Sequence, residues 1–209
     1  MPRNGSTTRT TIMDAAEALI LETGFSATSV DRVIDRAGVT KGTFFYHFQS
    51  KAGLARALVE RYAEHDLNNL ESNLARAEKL SRDPLQQLLI FVGLFEEAAE
   101  ALTEPYPGCL FASYCSEAGL FDQDTLQIIR DTMTTWRTRL GAKIEEAMAK
   151  HPPRLDVDAD SLADMITVAF EGAFMLSKSL SDPNVVSQQL GHYRNYLELL
   201  FAEAPSAPA

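Results

Sequence analysis

Cysteine is scarce in this sequence: Cys109 and Cys115 are the only two among 209 residues. Two thiols cannot build a disulfide framework or a structural zinc site, which needs about four ligands. Read as members of one helix, they lie about 9 Å apart along its axis and on different faces, so they cannot bridge each other without unwinding it. Long apolar runs are missing too. No stretch approaches the roughly 18 residues of a membrane helix, and the polar start from Met1 to Thr11 lacks the apolar segment of a signal peptide. The expectation is a cytoplasmic chain with no membrane partner. An excess of positive charge is also absent, since the net charge is −10. Its distribution matters more than its sum. Residues 1–66 hold eight of the 19 basic and eight of the 29 acidic side chains, so they are neutral, and the remaining 11 basic and 21 acidic residues carry the whole deficit. An acidic C-terminal body would repel a polyanion, whereas the first third need not.

Strand-type alternation is nearly absent, and every long segment has helical periodicity. The expected fold class is all-α. A first helix runs from about Thr8 to Glu22, with Ile12, Ala15, Ala16, Leu19 and Ile20 on one face and Gly24 as its stop. Thr28 or Ser29 caps a second helix whose buried stripe is Val30, Val33, Ile34 and Ala37. Gly38 supplies a turn and Thr40 caps a third, very short helix. Helix, glycine turn and short helix in this spacing form a helix-turn-helix. A helix so short cannot support itself, so Phe44 and Phe48, four apart, read as its anchors in the core. The opposite face carries Lys41, Thr43, Tyr46 and His47, with Phe45 at its margin. These side chains hydrogen-bond or stack, as groups that meet base edges and phosphates do.

Ser50 caps a fourth helix marked by Leu54, Leu58, Tyr62, Leu70, Leu74 and Ala77 to about Leu80. Its roughly 30 residues span about 45 Å, long enough to join two domains. Asp83-Pro84 opens a fifth helix with Leu88, Leu89, Val92, Phe95 and Ala99 on its stripe. Pro105-Tyr106-Pro107-Gly108 breaks the chain. A sixth helix from about Cys109 to Ala118 follows, with Gly119 at its end. The seventh, about Gln123 to Ala149, buries Leu126, Ile129, Met133, Trp136, Leu140 and Ile144 and stops at His151-Pro152-Pro153. Two more, about Ala159–Leu180 and Pro183–Glu203, are apolar beyond one stripe: Met165, Ile166, Ala169, Phe170, Ala173 and Phe174, then Leu190, Tyr193, Tyr196, Leu197, Leu200 and Phe201. Helices apolar on two faces usually have two partners, and a second copy of the chain would complete a four-helix interface. The expected domains are residues 1–50, a connecting helix over 51–80, and a second domain over 81–203. The tail from Ala204 reads as disordered.

The ordered motifs Ala15-Ala16, Gly24-Phe25, Thr28-Ser29-Val30, Ala37-Gly38-Val39, Lys41-Gly42-Thr43, Tyr46-His47-Phe48 and Ser50-Lys51 resemble the tetracycline-repressor-like (TetR/AcrR) family of bacterial regulators. The likeness is densest over Thr10–Leu58, and the all-helical remainder is similar to that family's effector-binding and dimerisation domain. The resemblance implies a homodimer joined through its last two helices, with two heads on successive major grooves of a palindromic double-stranded DNA operator. It implies a phosphate contact from Thr28, base or phosphate contacts from Lys41, Gly42, Thr43, Phe45, Tyr46 and His47, and a phosphate contact from Lys51. Many relatives have tyrosine where this chain has Phe45, so a hydroxyl contact is missing there and the ring would pack on sugar or a thymine methyl. Gly108-Cys109-Leu110 and Glu171-Gly172-Ala173 are similar to elements of a subgroup in which some members respond to electrophilic or unsaturated small molecules.

The effector site is expected among helices five to eight. Phe91, Phe95, Tyr114, Met133, Trp136, Phe170 and Phe174 would line it, Glu117 or Glu171 would anchor polar groups, and Cys109 would be the sensing thiol. Cys109 stands at a helix N-terminus, where the dipole favours thiolate; otherwise it is a small buried hydrophobe. Cys115 reads as core. Trp136 is the strongest lining candidate, because a buried indole N–H needs a partner, and Glu171 sits in an otherwise apolar helix where a carboxylate needs a reason. No cofactor, metal or catalytic residue is indicated. The rival readings are a small-molecule binding protein that has lost DNA binding and a helical thiol enzyme using Cys109 with His151 or Glu117. No sequence-local nucleophile and base support the latter.

Overall fold

A computed structural model of the chain describes residues 5–202. Both the first residues and the tail from Ala204, expected to be disordered, lie outside them. Among the described residues there are nine α-helices and no strand: α1 Gly5–Thr23, α2 Val30–Ala37, α3 Lys41–His47, α4 Lys51–Leu80, α5 Pro84–Glu100, α6 Leu110–Ser116, α7 Gln123–Lys150, α8 Ala159–Leu180 and α9 Val185–Leu200. A single 3-10 turn, Ala118–Leu120, follows α6. The all-α expectation holds.

The chain divides into two compact units. The first comprises the residues to Asp66 together with Pro107–Thr132, and the second comprises Leu67–Tyr106 with the residues from Met133 onward. Both α4 and α7 therefore contribute to both units.

In the first unit α1 packs against α2 and α6, and α2 against α3. The α1 face expected in the core, Ile12, Ala15, Ala16, Leu19 and Ile20, is buried. Its end is set by Gly24 at φ +86°, whose N–H donates to the Ile20 carbonyl at 2.8 Å. Ser29, not Thr28, caps α2, its Oγ accepting the Arg32 N–H at 3.2 Å. Gly38 closes α2 in the left-handed region at φ +61°, with its N–H on Asp35 O and the Val39 N–H on Ile34 O. That pair of bonds is the Schellman pattern that reverses a chain in few residues. Thr40 then caps α3 by accepting the Thr43 N–H. The seven residues of α3 are too few to stand alone; Phe44 at 0% and Phe48 at 4% exposure hold them down.

The first unit also claims α6, which the sequence had assigned to the second domain. Burial of Leu110, Phe111 and Tyr114 explains it. Phe111 meets Tyr62 edge-on at 4.8 Å, and the Tyr114 hydroxyl donates to the Ala55 carbonyl, both on the first half of α4. Those three positions fill the buried side of α6, so Cys115, expected in the core, faces outward and is exposed. The helix is also shorter than expected, ending at Ser116 where Glu117 leaves helical geometry.

In the second unit the main pairings are α5 with α9 and α8 with α9. Its core gathers Leu70, Leu88, Phe91, Trp136, Leu140, Ile144, Ile166 and Leu197. Asp83 caps α5 as expected, accepting the Gln86 N–H with one oxygen; the other ion-pairs Lys150 and lies within hydrogen-bond distance of His151 Nε2, at 2.8 Å. Those hydrogen bonds hold its carboxyl well below the ordinary carboxylate range.

Candidate nucleic-acid interface and effector site

The outward side of α3 is unusual for a surface. Tyr46 is 84% exposed and Phe45 43%, beside the exposed Lys41 and Gly42. Phe45 rests its edge on the buried Phe44 at 5.3 Å, and Tyr46 stands edge-on to His47 at 5.0 Å. Thr43 and His47 are half-buried at the sides of this strip. The Thr43 Oγ1 lies 2.8 Å from that of Thr40, so the cap and the candidate contact residue share one hydroxyl pair. A cation, a phenol, a hydroxyl and an open aromatic ring on one rigid turn of helix can donate to phosphate and base acceptors and cover apolar base edges.

The first unit also holds a polar clasp on the α1–α2 turn. The Glu117 carboxylate accepts the Phe25 N–H at 2.7 Å and the Ser26 N–H at 2.9 Å. The Ser26 hydroxyl, those two backbone N–H groups and the Lys51 ammonium together lower its pKa against the opposing effect of burial. Lys51 Nζ donates to the Phe25 carbonyl at 2.6 Å and sits 4.0 Å from the centroid of the Phe25 ring. Partial burial lowers the Lys51 pKa, and the Glu117 charge works against that. The Phe25 ring packs against Tyr114 and Phe121, themselves stacked at 4.1 Å. Gly24 is favoured at this place by its positive φ, and a Cβ there would stand 3.0 Å from Glu117 Oε1.

The second unit holds a chain of aromatic rings. Trp136 meets Phe91 at 6.2 Å and Phe95 at 5.9 Å; Phe95 meets Phe170 at 5.4 Å; Phe170 meets Phe174 at 5.8 Å; Phe174 is stacked by Tyr106 at 4.4 Å. Phe91 and Trp136 are buried, whereas Phe95, Phe170, Phe174 and Tyr106 keep part of their surface open.

Comparison with known proteins places this architecture. Residues 12–58 match the family described as bacterial regulatory proteins, tetR family, and residues 84–193 match the tetracyclin repressor-like C-terminal domain. The chain belongs to the TetR family. A transcriptional regulator of Cereibacter sphaeroides, AcuR, is 30% identical over 159 residues, covering 76% of this chain and 71% of that one. The transcriptional repressor DhaR of a Mycobacterium species is 24% identical over 168 residues, 80% of each chain. A TetR-family regulator from Agrobacterium tumefaciens has the same fold, with a TM-score of 0.76 over 95% of this chain and 100% of that one, at 24% identity. The protein is a transcriptional regulator with a DNA-binding helix-turn-helix, not an enzyme.

Within this TetR-family chain the structure sorts the expected site residues. Lys41, Gly42, Thr43, Phe45, Tyr46 and His47 lie together on α3. Thr28 does not join them: it is 2% exposed, its hydroxyl donates to Gly24 O and its N–H to Phe25 O. Both donors serve the turn. Lys51 has spent one of its three donors on Phe25. Of the effector candidates, Phe91, Phe95, Met133, Trp136, Phe170, Glu171 and Phe174 belong to the second unit, whereas Cys109, Tyr114 and Glu117 belong to the first. Glu117 is a structural acceptor for the turn and Tyr114 a buried packing residue. Cys109 is half-buried at the N-cap of α6, with no side-chain capping bond. Sequence reading missed the clasp because its partners are 91 and 92 residues apart. The one local hint was Gly24-Phe25 itself.

Among the described residues no group of three or more His, Cys, Asp or Glu could hold a metal ion, and no helix is long and apolar enough to cross a membrane.

Proposed function

We propose that this regulator is a homodimeric repressor that binds a palindromic operator through α3 and is released by a small-molecule effector held in the second unit. The exposed strip of Lys41, Phe45 and Tyr46 on a helix too short to exist for its own sake carries the reading. Phe45 replaces a phosphate-binding hydroxyl with an apolar ring, which suits a thymine methyl or a sugar face. Repression rather than activation is supported by the likeness to DhaR, a repressor by name. Work at an operator sets the cytoplasm as its compartment.

The dimer is proposed to form through α8 and α9. On α8, Met165, Val168, Met175, Leu176 and Leu180 are each at least 39% exposed, and Gly172 leaves a level place among them. Positions 165, 168, 172, 175 and 176 follow the 3–4 residue spacing of one helix face. A contiguous apolar face of this kind marks an association surface.

The effector site is proposed on the partly open rings of Phe95, Phe170 and Phe174, with Met133, Trp136 and Glu171 around them. A second effector reading, covalent modification of Cys109 by an electrophile, is favoured by the incomplete burial of that thiol at the start of α6. Either effector can act only by binding the two head spacings of the dimer with different affinity.

The deciding experiment is a gel shift and footprint on the DNA upstream of the chain's own coding sequence. The expected result is salt-sensitive protection of palindrome length; absence of any protected operator in a genomic pull-down overturns the reading in favour of a binding protein without DNA affinity.

A further inference from the structure

In the first unit Arg36, Arg56 and Arg61 each pair with a carboxylate at 3.0 Å or less. Arg9, near the start of α1, is different. Among the described residues it meets neutral groups only: Nη1 donates to the Met13 sulfur at 3.2 Å, and the guanidinium carbon lies 5.1 Å from the centroid of the Phe48 ring. Sulfur is a weak acceptor and a guanidinium carries five N–H donors, so this exposed side chain keeps most of its donors open. The hydroxyls of Thr10 and Thr11 do not compete for the same ligand, because they donate to the Ser6 and Thr7 carbonyls one turn back.

Phe48 gives this cation its place. It is the C-cap of α3, directly after His47, and its ring is buried. Arg9 therefore lies against one end of α3, and the exposed Lys41 begins the other. Seven residues at 1.5 Å each span about 10 Å, close to the roughly 12 Å width of the major groove. A helix of that length set in the groove brings both of its ends to the phosphate walls. A guanidinium suits the contact, since its charge is permanent and its planar fork matches phosphate. Stacking on Phe48 holds the group in position beforehand, so less side-chain freedom is lost on binding.

We propose that Arg9 is a further DNA contact, a phosphate clamp at the end of α3 opposite Lys41. This rests on the operator-binding reading of α3 and adds to it a residue from outside the helix-turn-helix. The contact carries no sequence information; it fixes how α3 sits in the groove.

Phosphate contacts are independent of sequence, so the probe is a short fluorescein-labelled duplex of random sequence. It is titrated with the full-length protein, by anisotropy, over about 50–200 mM salt. In Arg9→Gln the slope of log K against log salt should be shallower by about 0.9, and affinity near 0.1 M salt about eightfold lower. Arg9→Met keeps the packing on Phe48 without the charge and should match Arg9→Gln, whereas Arg9→Lys should restore most of the slope. Arg139→Gln makes the same change of net charge at an arginine paired with Glu71 in the second unit, and its slope should equal that of the wild type. A lower unfolding temperature of Arg9→Gln and Arg9→Met with an unchanged slope would make Arg9 a packing residue and overturn the proposal. So would an equal fall of slope in Arg139→Gln, or a slope in Arg9→Lys no steeper than in Arg9→Gln. Absence of salt-sensitive binding by the wild type, to this duplex and to its own upstream DNA, would overturn the clamp together with the DNA-binding reading. Salt-sensitive binding by the wild type with an unaltered slope in Arg9→Gln would overturn the clamp alone.

Discussion

Replacing Glu117 by glutamine tests how the α1–α2 turn is held. In the wild type one carboxylate serves two backbone donors, at 2.7 Å from Phe25 and 2.9 Å from Ser26. Charge-assisted bonds of this type contribute about 1.5–3 kcal/mol each when water is excluded. Phe25 is buried but Ser26 is exposed, so solvent replaces much of the second bond and only the first keeps its full value. Glutamine retains one carbonyl acceptor, loses the charge, and turns an NH2 group towards the other donor. The expected net loss is about 2 kcal/mol, or roughly a 30-fold change in the opening equilibrium of the turn. Native-state hydrogen exchange reads this directly, since protection of the Phe25 and Ser26 amides reports local opening. Protection should fall about 30-fold at those two amides and little in the second unit. A change under about twofold would refute the clasp as an energetic element. The pH dependence has a definite sign. The folded carboxyl titrates below its unfolded value of about 4.3, so its contribution is complete above that pH and fades as pH falls through the lower folded value. Wild-type protection should therefore hold down to about pH 4.3 and drop below it towards that of Glu117→Gln, with exchange rates corrected for their intrinsic pH dependence.

Three further outcomes are expected. Lys41→Ala should weaken operator binding across sequences and reduce the salt slope by about 1, whereas Tyr46→Ala should also relax base preference; a Lys41 variant with an unchanged slope would show that this side chain meets no phosphate. Phe44→Ala should destabilise the first unit by about 3–5 kcal/mol in urea unfolding, because Phe44 is fully buried; a shift below about 1 kcal/mol would mean that α3 is anchored by other residues. If Cys109 is the sensing thiol, treatment with N-ethylmaleimide should release operator from wild type and from Cys115→Ser but not from Cys109→Ser; equal release from both variants would return Cys109 to a packing role.

Much of the molecule was readable from local pattern. The caps at Ser29, Thr40, Ser50 and Asp83, the stops at Gly24 and Gly38, and the anchoring of α3 by Phe44 and Phe48 each depend on residues within five positions of one another. Such features follow from the 3.6-residue helical period and from backbone groups left unpaired at helix ends. The strip on α3 was legible for the same reason, since a helix that buries Phe44 and Phe48 must turn Phe45 and Tyr46 outward.

Other positions could not be settled that way. Periodicity says that α6 has an apolar side but not which neighbour covers it. It is covered by α1 and the first half of α4, which removes Tyr114 and Glu117 from the expected effector site and turns Cys115 outward. Thr28 was a cap candidate by residue type and a phosphate ligand by resemblance; it lies buried, with its hydroxyl and N–H both bonded within the turn. The amino-acid order by itself thus determined the helices, their caps, the helix-turn-helix and the family, because each is written in short-range spacing. Tertiary structure alone decided that Glu117 grips the α1–α2 turn and that Tyr106 stacks on Phe174, because hydrogen bonds and ring contacts between residues far apart in the chain exist only after the helices have packed.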